Sequence, residues 1–546
     1  MMNTHTLRTG IVFLGCMALY AALVANLYRI QIGKHTFFAT LAQKQYTSVI
    51  TTYPPRAFIF DRNGSPLAMN QESVAAFITP NNLQNANATT TFLKNNFHAA
   101  YERLQKNKSA HFMYVARNLD DTTQKLINAA NIADIKLLKE PSRLYPMTSS
   151  ATLIGFTDRD NRGIAGIELM FDKQLSGQPM VQSLHKDARS GLFHFAHETT
   201  VQGLLGLPIT LSLDATLQFL VHESLKDTIE KFGALEGSAI VINPKNGEIL
   251  AMASFPYFDP HKMRDAVQNQ TKNRVVTEVY EFGSVIKTFA ALAALEEGVV
   301  DPDELIDCEN VATTYVDGRR INTVRSSVAG IIPFAQVIEK SNNIGIAKVV
   351  KRLGPKLYTH YRQLGFGEKT GIEFPGERQG FVNPPNNWSK QSIISLSYGY
   401  EINATVLQLA QAFALIANNG SLVRPTLLLT NEQTNIKKEP RYSQKSTTLM
   451  QNIMENTVLR GTAQKAQIKG YRVMSKTGTA NLLIDGIYDE TKNCYSCGGI
   501  VEKGSYQRVI VVFIKQANRK GLYASMVAAP LFEQVAERTL IHEKIC

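Results

Sequence analysis

Between Arg8 and Arg29 stand 20 residues without a charge, TGIVFLGCMALYAALVANLY. At the rise of an α-helix such a run crosses a hydrocarbon core of ~30 Å. No second stretch of that length occurs, so the sequence predicts one span, with nearly all of the chain on one side of a membrane. A cleaved signal peptide is the competing reading. Its apolar region is usually shorter, however, and no Ala-x-Ala pair closes this one, since Leu23 stands two places before Ala25. The expected element is a retained anchor over residues 10–28 behind a tail of residues 1–9. Arg8 precedes it and Arg29 and Lys34 follow, a charge balance too even to orient it.

A chain of 546 residues has length for roughly three domains, and 44% hydrophobic with 19% charged residues excludes disorder and collagen-like repeats. Lys and Arg exceed Asp and Glu by 58 − 46 = 12. That excess suits an anionic surface, but no basic-aromatic cluster accompanies it as nucleic-acid binding would require. Five cysteines, at positions 16, 308, 494, 497 and 546, are too few for a disulfide framework and odd in number. Cys494 and Cys497 leave a local disulfide or two free thiols open, and a zinc site there would need two further ligands.

From residue 30 to about 200 the patterning is mixed. TTYPPRAFIFDRNGSPLA predicts a strand, a tight turn at Asn63-Gly64 and the start of a second strand. The stretch from Arg143 predicts a Gly-rich turn and a helix closing at Gly177. His194, His197 and Glu198 have the i, i+3, i+4 spacing of a helical ligand set but sit where helical periodicity is missing, and a linker is expected there. From Leu207, PITLSLDATLQFLVHESLKDTIEKF reads as a short strand and an amphipathic helix, and GSAIVINPKNGEILAMASF as a hairpin. Residues 284–465 read as largely helical, GYRVMSKTGTA and RVIVVFIKQ as two late strands, and APLFEQVAERTLIHE as a closing helix. This order predicts an α+β domain in which the early hairpin and the late strands share one antiparallel sheet, flanked by helices and interrupted by an all-helical insertion.

Chemistry enters with Ser284 and Lys287 in YEFGSVIKTFAALAALEEG. A serine hydroxyl is a poor nucleophile at neutral pH unless a neighbour takes its proton, and a lysine one helical turn on does so once its own pKa is depressed. Ser183 and Lys186 repeat the spacing in a polar stretch, so spacing alone decides nothing. Lys476-Thr477-Gly478 follows an apolar strand, where an edge presents a cation and hydroxyls, and Gly478 lets a ligand approach closely. Its decoy, Lys369-Thr370-Gly371, lies in a glycine-bracketed loop. Ser341-Asn342-Asn343 alone reads as a helix N-cap. Serine-lysine pair, Ser-x-Asn and Lys-Thr-Gly nevertheless occur in this order, which three coincidences rarely do. No Gly-x-Ser-x-Gly elbow surrounds Ser284, which disfavours a Ser-His-Asp hydrolase.

With these motifs, and with PPRAFIFDRNGSPLA, RLYP, GIAGIE, NPKNGEILAMAS, SYGYEINATVLQLAQAFALIANNG and RGTAQKAQIKGYRVMSKTGTA, nearly the whole chain resembles a class B penicillin-binding protein. That family holds monofunctional serine transpeptidases of peptidoglycan synthesis, and the last two stretches resemble its septal, division-specific branch. The resemblance implies a cytoplasmic tail, one anchor in the cytoplasmic membrane, an elongated mixed pedestal domain of the dimerisation type over 29–200, and a transpeptidase domain over 207–546 facing the wall. It implies that Ser284 is acylated by the penultimate D-Ala of a stem pentapeptide with loss of terminal D-Ala, and that Lys287 is its general base. Ser341 would relay a proton to the leaving amine, and Asn343 would hold Lys287 and the substrate amide. Lys476, Thr477 and Thr479 around Gly478 would bind the terminal carboxylate, and the N–H groups of Ser284 and Thr479 would form the oxyanion hole. The implied partners are stem peptides on lipid-linked or nascent glycan strands, β-lactams as inhibitors, a glycan polymerase and division-complex membrane proteins. No cofactor or metal is implied.

The sequence departs from the family pattern at Ala57 and Glu401, where glycine is usual, at Phe282, usually proline, and near Thr323 and Arg325, often aspartate and histidine. These changes touch loop shape rather than the catalytic set. Competing readings are an elongation-type transpeptidase, a D,D-carboxypeptidase or β-lactamase that hands the acyl group to water, and a non-catalytic scaffold or β-lactam sensor. A bifunctional synthase is disfavoured because residues 30–200 show no paired-glutamate pattern.

Overall fold

A computed structural model describes residues 4–186, 193–262, 268–430, 436–519 and 521–545. The chain divides into two compact units, one of residues 1–56 and 176–206, the other of residues 57–175 and 207–546. In the first unit, helix α1 (Thr4–Tyr28) runs on through a π-turn, and Leu7–Gly33, with mean hydropathy 2.0, is long and apolar enough to cross a membrane. A three-stranded antiparallel sheet follows, with Met180–Lys186 between Thr47–Thr52 and Phe193–Val201. The HFAHE segment is thus a strand, neither the expected linker nor a helical turn. The Ser183-Lys186 decoy also lies on a strand, where residues three apart share no face.

In the second unit the turn at Asn63-Gly64 forms as expected. Gly64 takes φ +83°, and Asp61 Oδ1 accepts the N–H groups of Asn63 and Ser65 at 2.9 and 2.7 Å. Two of the family-like stretches meet in one buried ion pair: Arg143 of RLYP donates from Nε to Glu168 Oε1 of GIAGIE at 2.8 Å. The expected single helix before Gly177 is instead two short ones, Gly166–Met170 and Asp172–Ser176.

The larger part of this unit is built in layers. Helix α2 (Ala215–Phe232) starts where Asp214 accepts the Leu217 N–H at 2.9 Å and stops at Gly233 in the left-handed region. Its Leu217, Val221, Leu225 and Ile229 form one i, i+4 stripe against a five-stranded antiparallel sheet. The sheet runs β2 (Ile249–Phe255), β1 (Glu236–Ile242), β5 (Tyr506–Lys515), β4 (Ile487–Lys503), β3 (Arg472–Ile484). The early hairpin and the late strands do share it, but the late strands number three, because β4 lies between the two expected ones.

Both faces of the sheet are covered. Along β5, Val509, Val511 and Phe513 enter one core while Ile510, Val512 and Ile514 enter the other. The second core contains α2 and the closing helix α8 (Ala524–His542). The first contains α3 (Lys287–Glu296), α6 (Val406–Ala417) and α7 (Gln444–Leu459). Every residue of α6 is buried, and a capping box of Thr405 and Gln408 starts it. Between them α4 (Phe334–Glu339) and α5 (Asn343–Val350) carry the Ser341 turn.

Cys494 and Cys497 both sit on β4, three residues apart on an alternating strand, so Cys494 joins one core and Cys497 the other. Both are free thiols. Peptide mapping of alkylated, unreduced protein should recover both cysteines alkylated; a peptide spanning them that is lighter by two hydrogens and refuses alkylation would contradict this register.

Candidate active site

Ser284 lies in the 3₁₀ turn Gly283–Val285 that leads into α3, with the Ile286 N–H returning to Gly283 O at 3.0 Å. The turn is pressed against β3. A Cβ on Gly478 would lie 2.2 Å from Phe282 O and 2.8 Å from Val285 N, and one on Gly283 (φ +55°) would lie 2.5 Å from Thr479 O. No other residue type permits that approach. From β4, Ser496 Oγ reaches both Phe282 O and Gly478 O, at 3.3 and 3.2 Å, and fixes turn to strand. Ser284 itself is half-buried, and its hydroxyl has no hydrogen-bond partner among the described residues.

Lys287 opens α3 and is fully buried, as is Lys476 on β3. Between them stands Ser341, in the left-handed region at φ +57°. Lys287 Nζ donates to Ser341 O at 2.6 Å and to Ser341 Oγ at 3.1 Å; Lys476 Nζ donates to the same Oγ at 2.9 Å and to Thr477 O at 3.0 Å. One hydroxyl therefore joins the three motifs. The two amines cannot both hold a proton cheaply. Burial, and secondly the charge of Lys476, drive Lys287 well below the ordinary lysine range, whereas burial brings Lys476 down to about 7. The charged form of Lys287 is thus opposed both by burial and by the neighbouring Lys476, that of Lys476 chiefly by burial.

Along β3, Thr477 Oγ1 donates to Thr462 Oγ1 at 3.4 Å, and Thr479 Oγ1 accepts the Ala524 N–H at the start of α8, at 3.0 Å. Asn343 is half-buried, and its amide donates to Asn322 O at 2.5 Å rather than to Lys287. The buried carboxamide of this motif is Asn342, which caps α5 through Gly345 N–H at 2.8 Å and donates to Ser327 O at 2.8 Å. Within the triplet that reads as an N-cap, the capping residue is Asn342. In the Lys369 decoy, the Thr370 hydroxyl is occupied by Glu377 Oε1 at 2.6 Å.

A carboxyl that motif reading passed over, Glu281, stands three residues before Ser284. Burial, with Glu401 adding, pushes it up to about 7. It accepts from Tyr488 Oη and from the Glu401 N–H, both at 3.1 Å. Glu401 holds φ +59°, the conformation for which glycine is the easy choice, and Asn383 Nδ2 anchors its carboxylate at 2.6 Å. Phe282 fills the position of the usual proline by packing edge-on to Phe513, ring centroids 5.8 Å apart.

A lysine whose folded pKa lies below its unfolded one binds a proton in the unfolded chain only, across the window between the two values, so stability rises with pH there. For Lys476 that window is from about 7 to 10.5. Cys494 and Cys497, raised from 9.0 to about 12, act oppositely above pH 9. Between about pH 7 and 9, therefore, the unfolding free energy of the wild type should gain on that of Lys476→Met by up to about 1.4 kcal/mol per pH unit. A difference that stays flat in denaturant titrations over this range would contradict an amine buried with so low a pKa.

Comparison with known proteins assigns the family. Residues 237–537 match the family model of the penicillin binding protein transpeptidase domain, and residues 51–203 that of the penicillin-binding protein dimerisation domain. The chain is 30% identical over 527 residues to the probable peptidoglycan D,D-transpeptidase PbpC of Pseudomonas aeruginosa, spanning 95% of this chain and 92% of that one. It is 31% identical over 491 residues to the peptidoglycan D,D-transpeptidase FtsI of Escherichia coli K12, spanning 87% and 82%. In fold it is similar to penicillin-binding protein 3 of Mycobacterium tuberculosis in complex with aztreonam, at a TM-score of 0.69 and 24% identity over 91% of this chain and 98% of that one. With a dimerisation domain and a transpeptidase domain matched in that order, the chain belongs to the class B penicillin-binding proteins.

Proposed function

We propose that this chain is a serine D,D-transpeptidase that cross-links peptidoglycan stem peptides, acting in septal wall synthesis. The observation that carries it is the single Ser341 hydroxyl shared by Lys287 and Lys476 beside the clamped Ser284 turn. A neutral lysine has two N–H donors and one lone pair. Lys287 spends both donors on Ser341 O and Oγ, which leaves the lone pair as a base for the Ser284 proton. Ser341 Oγ accepts from both amines, so its own proton is free to be donated.

On this reading Ser284 Oγ attacks the penultimate D-Ala carbonyl and loses its proton to Lys287, and the oxyanion forms against the Ser284 and Thr479 N–H groups. The C–N bond breaks, Ser341 passing its proton to the departing D-Ala amine and taking one back from Lys287. Lys476, Thr477 and Thr479, with Gly478 giving close approach, hold the terminal carboxylate, and Asn343 lines the peptide path. The amine of a second stem peptide then attacks the ester and gives a proton to Lys287, the bond from the acyl carbon to Ser284 Oγ breaks as the new amide forms, and Ser284 takes that proton. On the same reading residues 1–9 are a cytoplasmic tail, 10–28 the anchor, 29–200 the pedestal and 207–546 the transpeptidase domain, working outside the cytoplasmic membrane on stem peptides of glycan strands beside a polymerase and division proteins, with β-lactams as dead-end acylating substrates.

Labelled penicillin should acylate the wild type at Ser284 and leave Ser284→Ala and Lys287→Ala unlabelled, a loss of at least about 10³-fold in rate for either. With a thioester of D-Ala and a D-amino acid acceptor, amine transfer should outrun hydrolysis. An unlabelled wild type of intact fold, or an acyl-enzyme that goes to water alone, would defeat the reading.

A further inference from the structure

Glu339 and Arg460 belong to none of the three motifs, yet they join the segments that carry Ser341 and Thr477. Glu339 ends α4 two residues before Ser341, with a side chain only 3% exposed. Arg460 follows α7 and is 62% exposed, but it takes that carboxylate in two parallel bonds, Nε to Oε2 at 2.9 Å and Nη2 to Oε1 at 3.0 Å. The backbone repeats the link, since Thr462 N–H donates to Glu339 O at 3.2 Å. Gly461 comes so near that a Cβ would lie 2.4 Å from the same oxygen. Thr462 Oγ1 in turn accepts from Thr477 Oγ1. The path runs unbroken from the guanidinium to the Ser341 turn on one side and to β3 on the other.

An exposed arginine usually contributes little through its charge. Here its partner is a buried carboxylate, and among the described residues Arg460 is the one cation paired with it. Removing the guanidinium leaves an unpaired buried charge beside a serine already held at positive φ. We propose that Arg460 is a positioning residue for acylation, holding the Ser341 hydroxyl and Thr477 in register with Ser284 through Glu339 and Thr462. The inference rests on the acylation reading above.

The test uses the full chain in detergent and a chromogenic cephalosporin, with stopped-flow traces over a concentration series separating the limiting acylation rate from the apparent binding constant. Arg460→Gln, at an exposed position, should lower the limiting rate about tenfold while the binding constant moves less than about twofold, as expected of a small displacement of reacting groups. Arg460→Lys keeps the charge without the fork and should recover part of the rate. Glu339→Gln should slow the same step. A wild-type limiting rate in Arg460→Gln, a loss confined to binding, or equal slowing by the Lys and Gln variants would overturn the proposal. A wild type that is never acylated would remove the acylation reading and this inference together; normal wild-type acylation beside an equally fast Arg460→Gln removes this inference alone.

Discussion

Ser341 Oγ is the point on which the site depends. It takes hydrogen bonds from two buried lysines that come from elements 189 residues apart in sequence, 476 − 287. Two ammonium groups on one oxygen would repel strongly away from water, and that cost is what separates their protonation states. The result is two amines of unequal basicity, each one hydrogen bond from the serine oxygen between them. Burial and the repulsion between two like charges thus draw a base and an anion-binding group from one residue type.

Such an arrangement survives only inside a stiff frame. The five-stranded sheet is covered on both faces, so β3 cannot shift without disturbing two cores. On its edge Gly478 admits the Ser284 turn, and on the neighbouring strand Ser496 ties that turn down. α3 is buried from Lys287 to Leu295, which fixes Lys287 at the depth where its charge is penalised. Stability and chemistry draw on the same packing: the contacts that order the core also remove the water that would let Lys287 keep a proton.

Much of this was legible beforehand, for physical reasons. Strands β1 and β5 are apolar on both faces and read as continuous hydrophobic runs, and α2 carries its cap, stripe and terminal glycine in plain order. Motif order singles out Ser284, Lys287, Ser341 and Lys476; hydrogen bonds join the last three, and Ser284 lies in the turn that leads into Lys287. β4 was missed because YDETKNCYSCGG has the polar residues and paired glycines of a loop. Gly498 is there because Phe413 lies where its Cβ would be, 2.3 Å away, a tertiary reason that no local pattern shows. The Phe193–Val201 strand was taken for a linker because its alternation is weak. The choice between Asn342 and Asn343 as the cap, the compensation of Glu401 by Glu281 and Asn383, and the Arg460–Glu339 pair all depend on residues far away in sequence, so short-range reading has no access to them.

The most direct test is the protonation state of Lys287, read by NMR titration of its labelled ε-amine in the acyl-free protein and assigned with Lys287→Arg. The amine should be neutral at pH 7 and titrate well below the ordinary 10.5. A resonance that stays protonated until pH 10 would mean that Ser341 joins two cations and that no base faces Ser284.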